Sequence, residues 1–257
     1  MKITVLGCAG GVGGPLLRTT SLRVDDDILV DAGTGAADLS LEDMVKIDHV
    51  LLTHAHLDHI CALPLILDSV GAMRTQALTV HALPEVIQAL RQHIFNHHIW
   101  PDFSRIPSAA APYLMFSPLT LGQTLSLGQR RFTALPADHV VPACGYAMTS
   151  PGGQTLVFSG DTGPCPAFWH AVNQQAQVVA LIIETAFPNA EHQLALAAKH
   201  LCPTQLAGEL QQLHHPTPVY ITHLKPGAAE LTMQQVQQAV RGLAPKALTP
   251  GQQFMLQ

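Results

Sequence analysis

The sequence predicts an α/β fold of the α+β type, in which two mixed β-sheets are covered by helices. Short apolar, β-branched runs recur along the chain, helix-like stretches fall between several of them, and the order is not a strict alternation of strand and helix. Composition agrees: 47% of the residues are hydrophobic and 12% are charged, against roughly 25% charged in an ordinary soluble domain, so much of the chain must lie in a core. Sandwiches and barrels of 257 residues are commonly one domain, and we expect one over 1–257, with pseudo-halves of about 1–115 and 116–257.

The first run, Ile3 to Leu6, reads as a buried strand and enters the glycine-rich GCAGGVGGP. A strand followed by glycines invites a dinucleotide-binding reading, but no glycine triplet here has the GxGxxG offsets and no helix-like stretch follows. A flexible turn near the mouth of the site is the better expectation. Further buried strands are read at Ile28 to Val30, Val50 to Leu52, Leu78 to Val80, Phe132 to Leu135, Leu156 to Phe158, Val178 to Ile183 and Val219 to Ile221. Helices are expected at Ile60 to Val70, Pro84 to Phe95, Pro166 to Gln175, Glu191 to His200, Pro203 to Leu213 and Leu231 to Arg241. The opening region and the stretch from Gln129 to Phe158 read as hairpins. Pro101 to Pro118 reads as a long loop at the seam between the halves, bordering the substrate site.

Charge and cysteine usage exclude several classes. The formal net charge is -5, with 13 Lys plus Arg and no basic run, so no long nucleic acid is expected as partner. No apolar run reaches the roughly 20 residues that span a bilayer, so no membrane is expected either. MKITVLG enters a strand without a cleavable leader, and the 5 cysteines are odd in number and scattered, which suits reduced thiols and a cytoplasmic setting. A homodimer is compatible with the sequence. GxSxG and a P-loop lysine are absent.

The exceptional count is 15 His, more than Lys and Arg together. Four potential metal ligands fall together in DHVLLTHAHLDHICALPLI: His54, His56, Asp58 and His59, between an apolar strand and a helix-like stretch. Alternate strand residues share a side, so His54 and His56 reach one ion, and Asp58 and His59 project toward a second. Three imidazoles and a carboxylate crowded together are costly without a cation. His81, His93, His170, His192, His214 and His215 have no such context and are expected to be surface or helix-face residues.

HxHxDH followed by a distant His, Asp and final His resembles the metallo-β-lactamase superfamily. Here the later residues are His139 in LPADHVVPACGY, Asp161 in FSGDTGP and His223 in VYITHLKPG. The resemblance implies a four-layer αββα sandwich. It also implies that His54, His56 and His139 hold one metal, that Asp58, His59 and His223 hold another, and that Asp161 bridges them. The strings HAHLDH, FNHHIWPDF, FSGDTGP, IIETAFPN, KHLCPTQLAGEL and ITHLKP are similar to the class II cyclic-nucleotide phosphodiesterases within that superfamily. In two places the chain departs from that family: its Asn-Ser-Pro stretch is replaced near LPLILDS, and its GHLTP stands as KHLCP.

The implied activity is hydrolysis of 3′,5′-cyclic AMP or cyclic GMP by a hydroxide bridging two divalent metals, zinc first, with manganese or iron as alternatives. Asp58 would ligate metal and accept the nucleophile's proton. His200, oriented by Glu184, would protonate the leaving ribose oxygen. Asn96, His97, His98 and Trp100 would contact substrate, Trp100 by stacking on a base. The alternatives are an RNA endonuclease, a 2′,3′- or 1,2-cyclic phosphate phosphodiesterase, a thioester or lactone hydrolase, and a non-catalytic metal-binding accessory protein.

Overall fold

In the computed structural model, which describes residues 1–14 and 16–257, the chain forms two seven-stranded sheets and a two-stranded ribbon. Pro15, in the glycine-rich segment, lies outside the described residues. Along the chain the strands are β1 (Lys2–Gly7), β2 (Ser21–Val24), β3 (Ile28–Val30), β4 (His49–Leu51), β5 (Leu78–Ala82), β6 (Pro107–Ser108), β7 (Ala111–Pro112) and β8 (Leu114–Pro118). They continue as β9 (Thr124–Leu127), β10 (Arg130–Pro136), β11 (Cys144–Thr149), β12 (Thr155–Phe158), β13 (Val178–Glu184), β14 (Val219–Thr222), β15 (Lys246–Ala247) and β16 (Gln253–Met255). The α-helices are α1 (Leu41–Lys46), α2 (Leu57–Ile60), α3 (Ala62–Val70), α4 (Pro84–Ala89), α5 (Pro166–Asn173), α6 (His192–Ala198), α7 (Pro203–Glu209) and α8 (Ala229–Ala239).

The first sheet has the order β16-β1-β2-β3-β4-β5-β8 and the second β15-β14-β13-β12-β11-β10-β9. Each is mixed: β3, β4, β5 and β8 pair in parallel, as do β12 to β15, and the remaining pairs are antiparallel. The apolar run Val178 to Ile183 of β13 follows from burial on both faces. Ala180 and Ile182 join a core that links the two sheets and includes Val5, Leu22 and Val50 of the first and Phe132, Tyr146 and Phe158 of the second. Leu181 and Ile183 point the other way, onto Phe168 and Trp169 of α5, Leu206 of α7 and Val236 of α8. Leu63, Ile66 and Val70 of α3 belong to the inter-sheet cluster. Burying each such side chain contributes about 1.5–3 kcal/mol. The layers are helices, sheet, sheet and helices, the expected α/β arrangement.

Three helices start where their sequence says they should, because Pro84, Pro166 and Pro203 occupy the first turn, where a missing N–H costs nothing. Other elements differ from expectation. The Pro101 to Pro118 segment is not one long loop: it contains the ribbon β6–β7 and then β8, which pairs with β5 and buries Leu114. The seam near 115 does not divide the sheets, since β8 extends to Pro118 in the first sheet and β16 crosses back to pair with β1. His81 is buried in β5 with its Nε2 3.1 Å from His49 Nδ1, where a surface residue was expected. His93, His170, His214 and His215 are exposed, as expected. Among the described residues the five cysteines are free and no helix is long and apolar enough to cross a membrane.

Candidate metal centre

Most residues of the centre sit where a strand ends, whereas Asp58 and His59 lie in α2 and His200 follows α6. Asp31 follows β3, His54 follows β4, His139 follows β10, Asp161 follows β12, Glu184 closes β13 and His223 follows β14. Strand C-termini in α/β sheets carry their side chains into the crevice above the sheet, which gathers these residues although they span most of the sequence. The Cys144 N–H donates to the Thr53 carbonyl at 3.0 Å and the Tyr146 hydroxyl to the Leu52 carbonyl at 2.9 Å, tying the two sheets together at this edge.

The structure brings all seven expected ligands together in two groups that share Asp161. In the first, His54 Nε2 lies 3.1 Å from His56 Nδ1, which is 3.2 Å from His139 Nε2, and Asp161 Oδ2 is 3.6 Å from His54. In the second, His59 Nε2 is 3.3 Å from Asp161 Oδ2 and 3.8 Å from Asp58 Oδ2, while His223 Nδ1 is 3.1 Å from Asp161 Oδ1. The ligating atoms of each group fall within 4.8 Å of one another.

This donor set fits divalent cations. Burial holds His54 well below its ordinary pKa, lowers His56 and His139, and brings His223 down to about 3, so these rings stay neutral and offer lone pairs. His59 Nε2 and His223 Nδ1 are buried and have no hydrogen-bond partner. Burial also disfavours charge on His59, but Asp161 and Asp31 overcome it and raise the imidazole well above its ordinary value. The second group is thus a place of strong negative potential. Buried, unpartnered nitrogens beside shared carboxylates are what a metal satisfies.

The surrounding hydrogen bonds orient the ligands. Asp31, fully buried, takes the Thr53 N–H on Oδ1 at 2.8 Å and the Thr53 hydroxyl on Oδ2 at 2.8 Å. His59 Nδ1 lies 2.7 Å from the same Oδ2, and His54 Nδ1 lies 3.0 Å from the Thr53 hydroxyl oxygen. Donation from both Nδ1 atoms leaves both Nε2 atoms for metal. His139 Nδ1 donates to the Lys199 carbonyl at 3.1 Å, with Lys199 in the left-handed region at φ 50. These supporting groups were not singled out in the sequence. The signal for Asp31 was a lone Asp closing the apolar strand in ILVDAG.

His200 stands against the cluster, its ring 5.0 Å from His139 and 5.1 Å from His223, centroid to centroid. Its Nδ1 is 2.6 Å from Glu184 Oε1, which leaves Nε2 unengaged by that pair. Glu184 is fully buried and also takes the N–H groups of Thr162, Ala186 and Leu201. Burial pushes the Glu184 carboxyl up, and His200 with the backbone donors pulls against it. Burial likewise opposes charge on His200, but the Glu184 carboxylate raises it above its ordinary value.

FNHHIWPDF forms a tight turn. Asn96 Oδ1 takes the N–H groups of His98 and Ile99, and Nδ2 donates to the Gln92 carbonyl, so this amide is engaged in its own turn. His97 and His98 are exposed. Trp100 lines an apolar pocket of about 190 Å³ with Leu57, Ile60, Cys61 and Leu65, beside the helix that carries Asp58 and His59. A larger groove of about 640 Å³ opens at His139, between Leu83–Glu85, Leu119–Leu121 and Ala137–Ala143.

The glycine-rich turn packs on His223. Gly10 N–H donates to the Leu224 carbonyl at 3.0 Å and His223 N–H to the Cys8 carbonyl at 2.8 Å. A Cβ on Gly10 would collide with the His223 carbonyl oxygen and stand 2.8 Å from its ring Cδ2. The glycines therefore allow close approach of two backbones at the site, not the cradling of a pyrophosphate.

A family profile described as the beta-lactamase superfamily domain matches residues 26–246. The chain belongs to that superfamily. It is a metal-dependent hydrolase by this membership and by its ligand set. A Yersinia pestis relative described as a probable 3′,5′-cyclic-nucleotide phosphodiesterase is 27% identical over 277 aligned positions, covering 88% of this chain and 78% of the relative. A ribonuclease Z of Bradyrhizobium diazoefficiens is 25% identical over 163 positions, 60% of this chain and 52% of the relative. Among solved structures, unliganded yeast PDE1 superposes with a TM-score of 0.82 at 19% identity, covering 99% of each chain, a likeness of fold.

Proposed function

We propose that this superfamily member is a dinuclear phosphodiesterase acting on a small cyclic nucleotide, 3′,5′-cyclic AMP or cyclic GMP. The carrying observation is the placement of His200, held by Glu184 at 2.6 Å, against two ligand groups that share Asp161. Bound divalent cations, zinc being our first choice, supply Lewis acidity and a nucleophile at neutral pH. His54, His56 and His139 would hold one, and Asp58, His59 and His223 the other, Asp161 being common to both groups.

Glu184 keeps His200 in the orientation and charge state that let Nε2 donate a proton to the departing ribose oxygen. Asp58 is a part-exposed member of the second group, its side chain 29% accessible, and would take a proton from an attacking water. The organic part of the substrate fits the groove at His139, whose volume of about 640 Å³ is that of a small-molecule site. Its charged members are Glu85 and Asp138, a poor track for a polyanion. Trp100 and the exposed His97 and His98 are further substrate contacts in this proposal, and Asn96 shapes their turn.

The relative described as a cyclic-nucleotide phosphodiesterase supports this reading over most of the chain. Ribonuclease relatives favour RNA, but between His139 and Asp161 this chain has only the hairpin β11–β12, with no projecting arm to grip one. A cytoplasmic setting goes with a cyclic-nucleotide substrate. The test is to reconstitute the protein with zinc, manganese or iron and offer cyclic AMP, cyclic GMP, 2′,3′-cyclic nucleotides, short RNA and a thioester. Turnover of a 3′,5′-cyclic nucleotide above the rest is expected, and preference for RNA or the thioester refutes the proposal.

A further inference from the structure

Lys225 lies two residues beyond the ligand His223 and belongs to none of the groups described so far. Its Nζ donates to the Gly10 carbonyl at 2.8 Å, sits 3.3 Å from His223 Nε2 and lies 5.7 Å from the centroid of the Phe187 ring. Phe187 packs edge-on against His200 at 5.6 Å, and His200 stacks on His223 at 5.1 Å. One wall of the centre is therefore Phe187, His200 and His223, with the Lys225 ammonium on it.

Among the described residues no carboxylate is within ion-pair distance of Lys225. Lys199, the other lysine at the rim, is paired with Asp138 at 2.7 Å. An ammonium has three N–H donors, and the Gly10 carbonyl and the His223 ring face at most two of them. A half-buried cation beside a cluster that binds cations is unfavourable unless an anion completes it. Gly10 sits against His223, where a Cβ would not fit, and its carbonyl takes the ammonium.

We infer that Lys225 binds a non-bridging oxygen of the phosphoryl group and makes the site selective for anionic esters. This rests on the phosphodiester reading above. Lys225 positions the phosphoryl group while His200 serves the leaving oxygen, and the strap to Gly10 fixes its reach. The ligand class is a phosphate monoanion or dianion.

Inorganic phosphate is the probe, and its Kd is measured on zinc-loaded wild type, Lys225→Gln and Lys225→Arg, with metal content and unfolding midpoint recorded for each. Lys225→Gln keeps a donor for the Gly10 carbonyl and removes the charge. It should retain metal and weaken phosphate binding about tenfold to a hundredfold, the effect of losing a charged hydrogen bond, with most of the loss restored in Lys225→Arg. The same order should hold for KM with bis(p-nitrophenyl) phosphate. In wild type, phosphate should shift the Nζ resonance of Lys225 and leave that of Lys199 unmoved, a reading that survives if the Gln variant does not fold. Unchanged phosphate Kd in Lys225→Gln, or an unmoved Lys225 resonance, overturns the inference. Phosphate binding through Lys225 without hydrolysis of any diester instead overturns the proposed reaction and leaves the anion site standing.

Discussion

Asp31 Oδ2 lies 2.7 Å from His59 Nδ1, and the same oxygen takes the Thr53 hydroxyl, whose oxygen lies 3.0 Å from His54 Nδ1. One buried carboxylate thus sets the orientation of a ligand in each metal group. Asp31 has φ 58, a conformation that Asn tolerates, so Asp31→Asn keeps the backbone while presenting an amide N–H to His59. That contact favours the tautomer with a proton on Nε2, the atom needed for metal. Zinc affinity should fall about tenfold to a hundredfold, read by competition with a chelator, and unchanged affinity would remove Asp31 from the support of the centre.

The Glu184–His200 pair predicts a different signature. His200→Ala should keep its metal and lose turnover by about 10²- to 10⁴-fold, the usual worth of a positioned general acid. Glu184→Gln should follow in the same direction, and Asp161→Ala should instead disturb metal binding itself. The loss in His200→Ala should shrink on a diester with a good leaving group such as p-nitrophenolate. Equal losses on good and poor leaving groups would argue against proton donation by His200.

Gly10→Ala tests the packing of the glycine-rich turn on His223. The added Cβ meets backbone, which cannot swing aside, so the turn or the ligand must move. Overpacking of this kind costs about 1–3 kcal/mol. The variant should show a lower unfolding midpoint and reduced metal content. Gly14→Ala serves as the comparison: an added Cβ there meets nothing within 4 Å, although φ 93 strains the residue, so metal content should hold.

His81 predicts a pH dependence away from the centre. Burial, aided by the neighbouring His49, lowers its pKa to about 4. A histidine in the unfolded chain titrates near 6.5, so between about 4 and 6.5 the unfolded state binds more protons than the folded state. The contribution to stability is complete above about 6.5, declines as pH falls through that window and levels off below it. Urea midpoints of wild type and His81→Gln from pH 7 to 4 should converge as the pH drops. A constant difference across the range would contradict the assignment.

Much of the centre was legible because its ligands close apolar strands. HxHxDH concentrates four ligands in one turn, and His139, Asp161 and His223 each follow a β-branched or aliphatic run. The contact between Glu184 and His200 was anticipated from IIETAF and KHLCP, and the first-turn prolines marked three helix starts. What escaped depends on partners far along the chain. β16 is three residues long and exists because β1 offers it an edge. β8 was hidden by proline-rich composition, although its pairing with parallel β5 dictates its place. Asp31 looked like any Asp after a strand until Thr53 and His59 arrived from 22 and 28 residues away. His81 had no motif, and its burial follows only from β5 lying inside the sheet.

The most direct test of the central claim is turnover of 3′,5′-cyclic AMP and cyclic GMP by protein whose metal content is measured in the same sample. About two divalent cations per chain are expected, one for each ligand group, with hydrolysis to a nucleoside monophosphate that disappears on chelation and returns with added metal. Full metal loading with no turnover of either cyclic nucleotide and rapid hydrolysis of a thioester would contradict it.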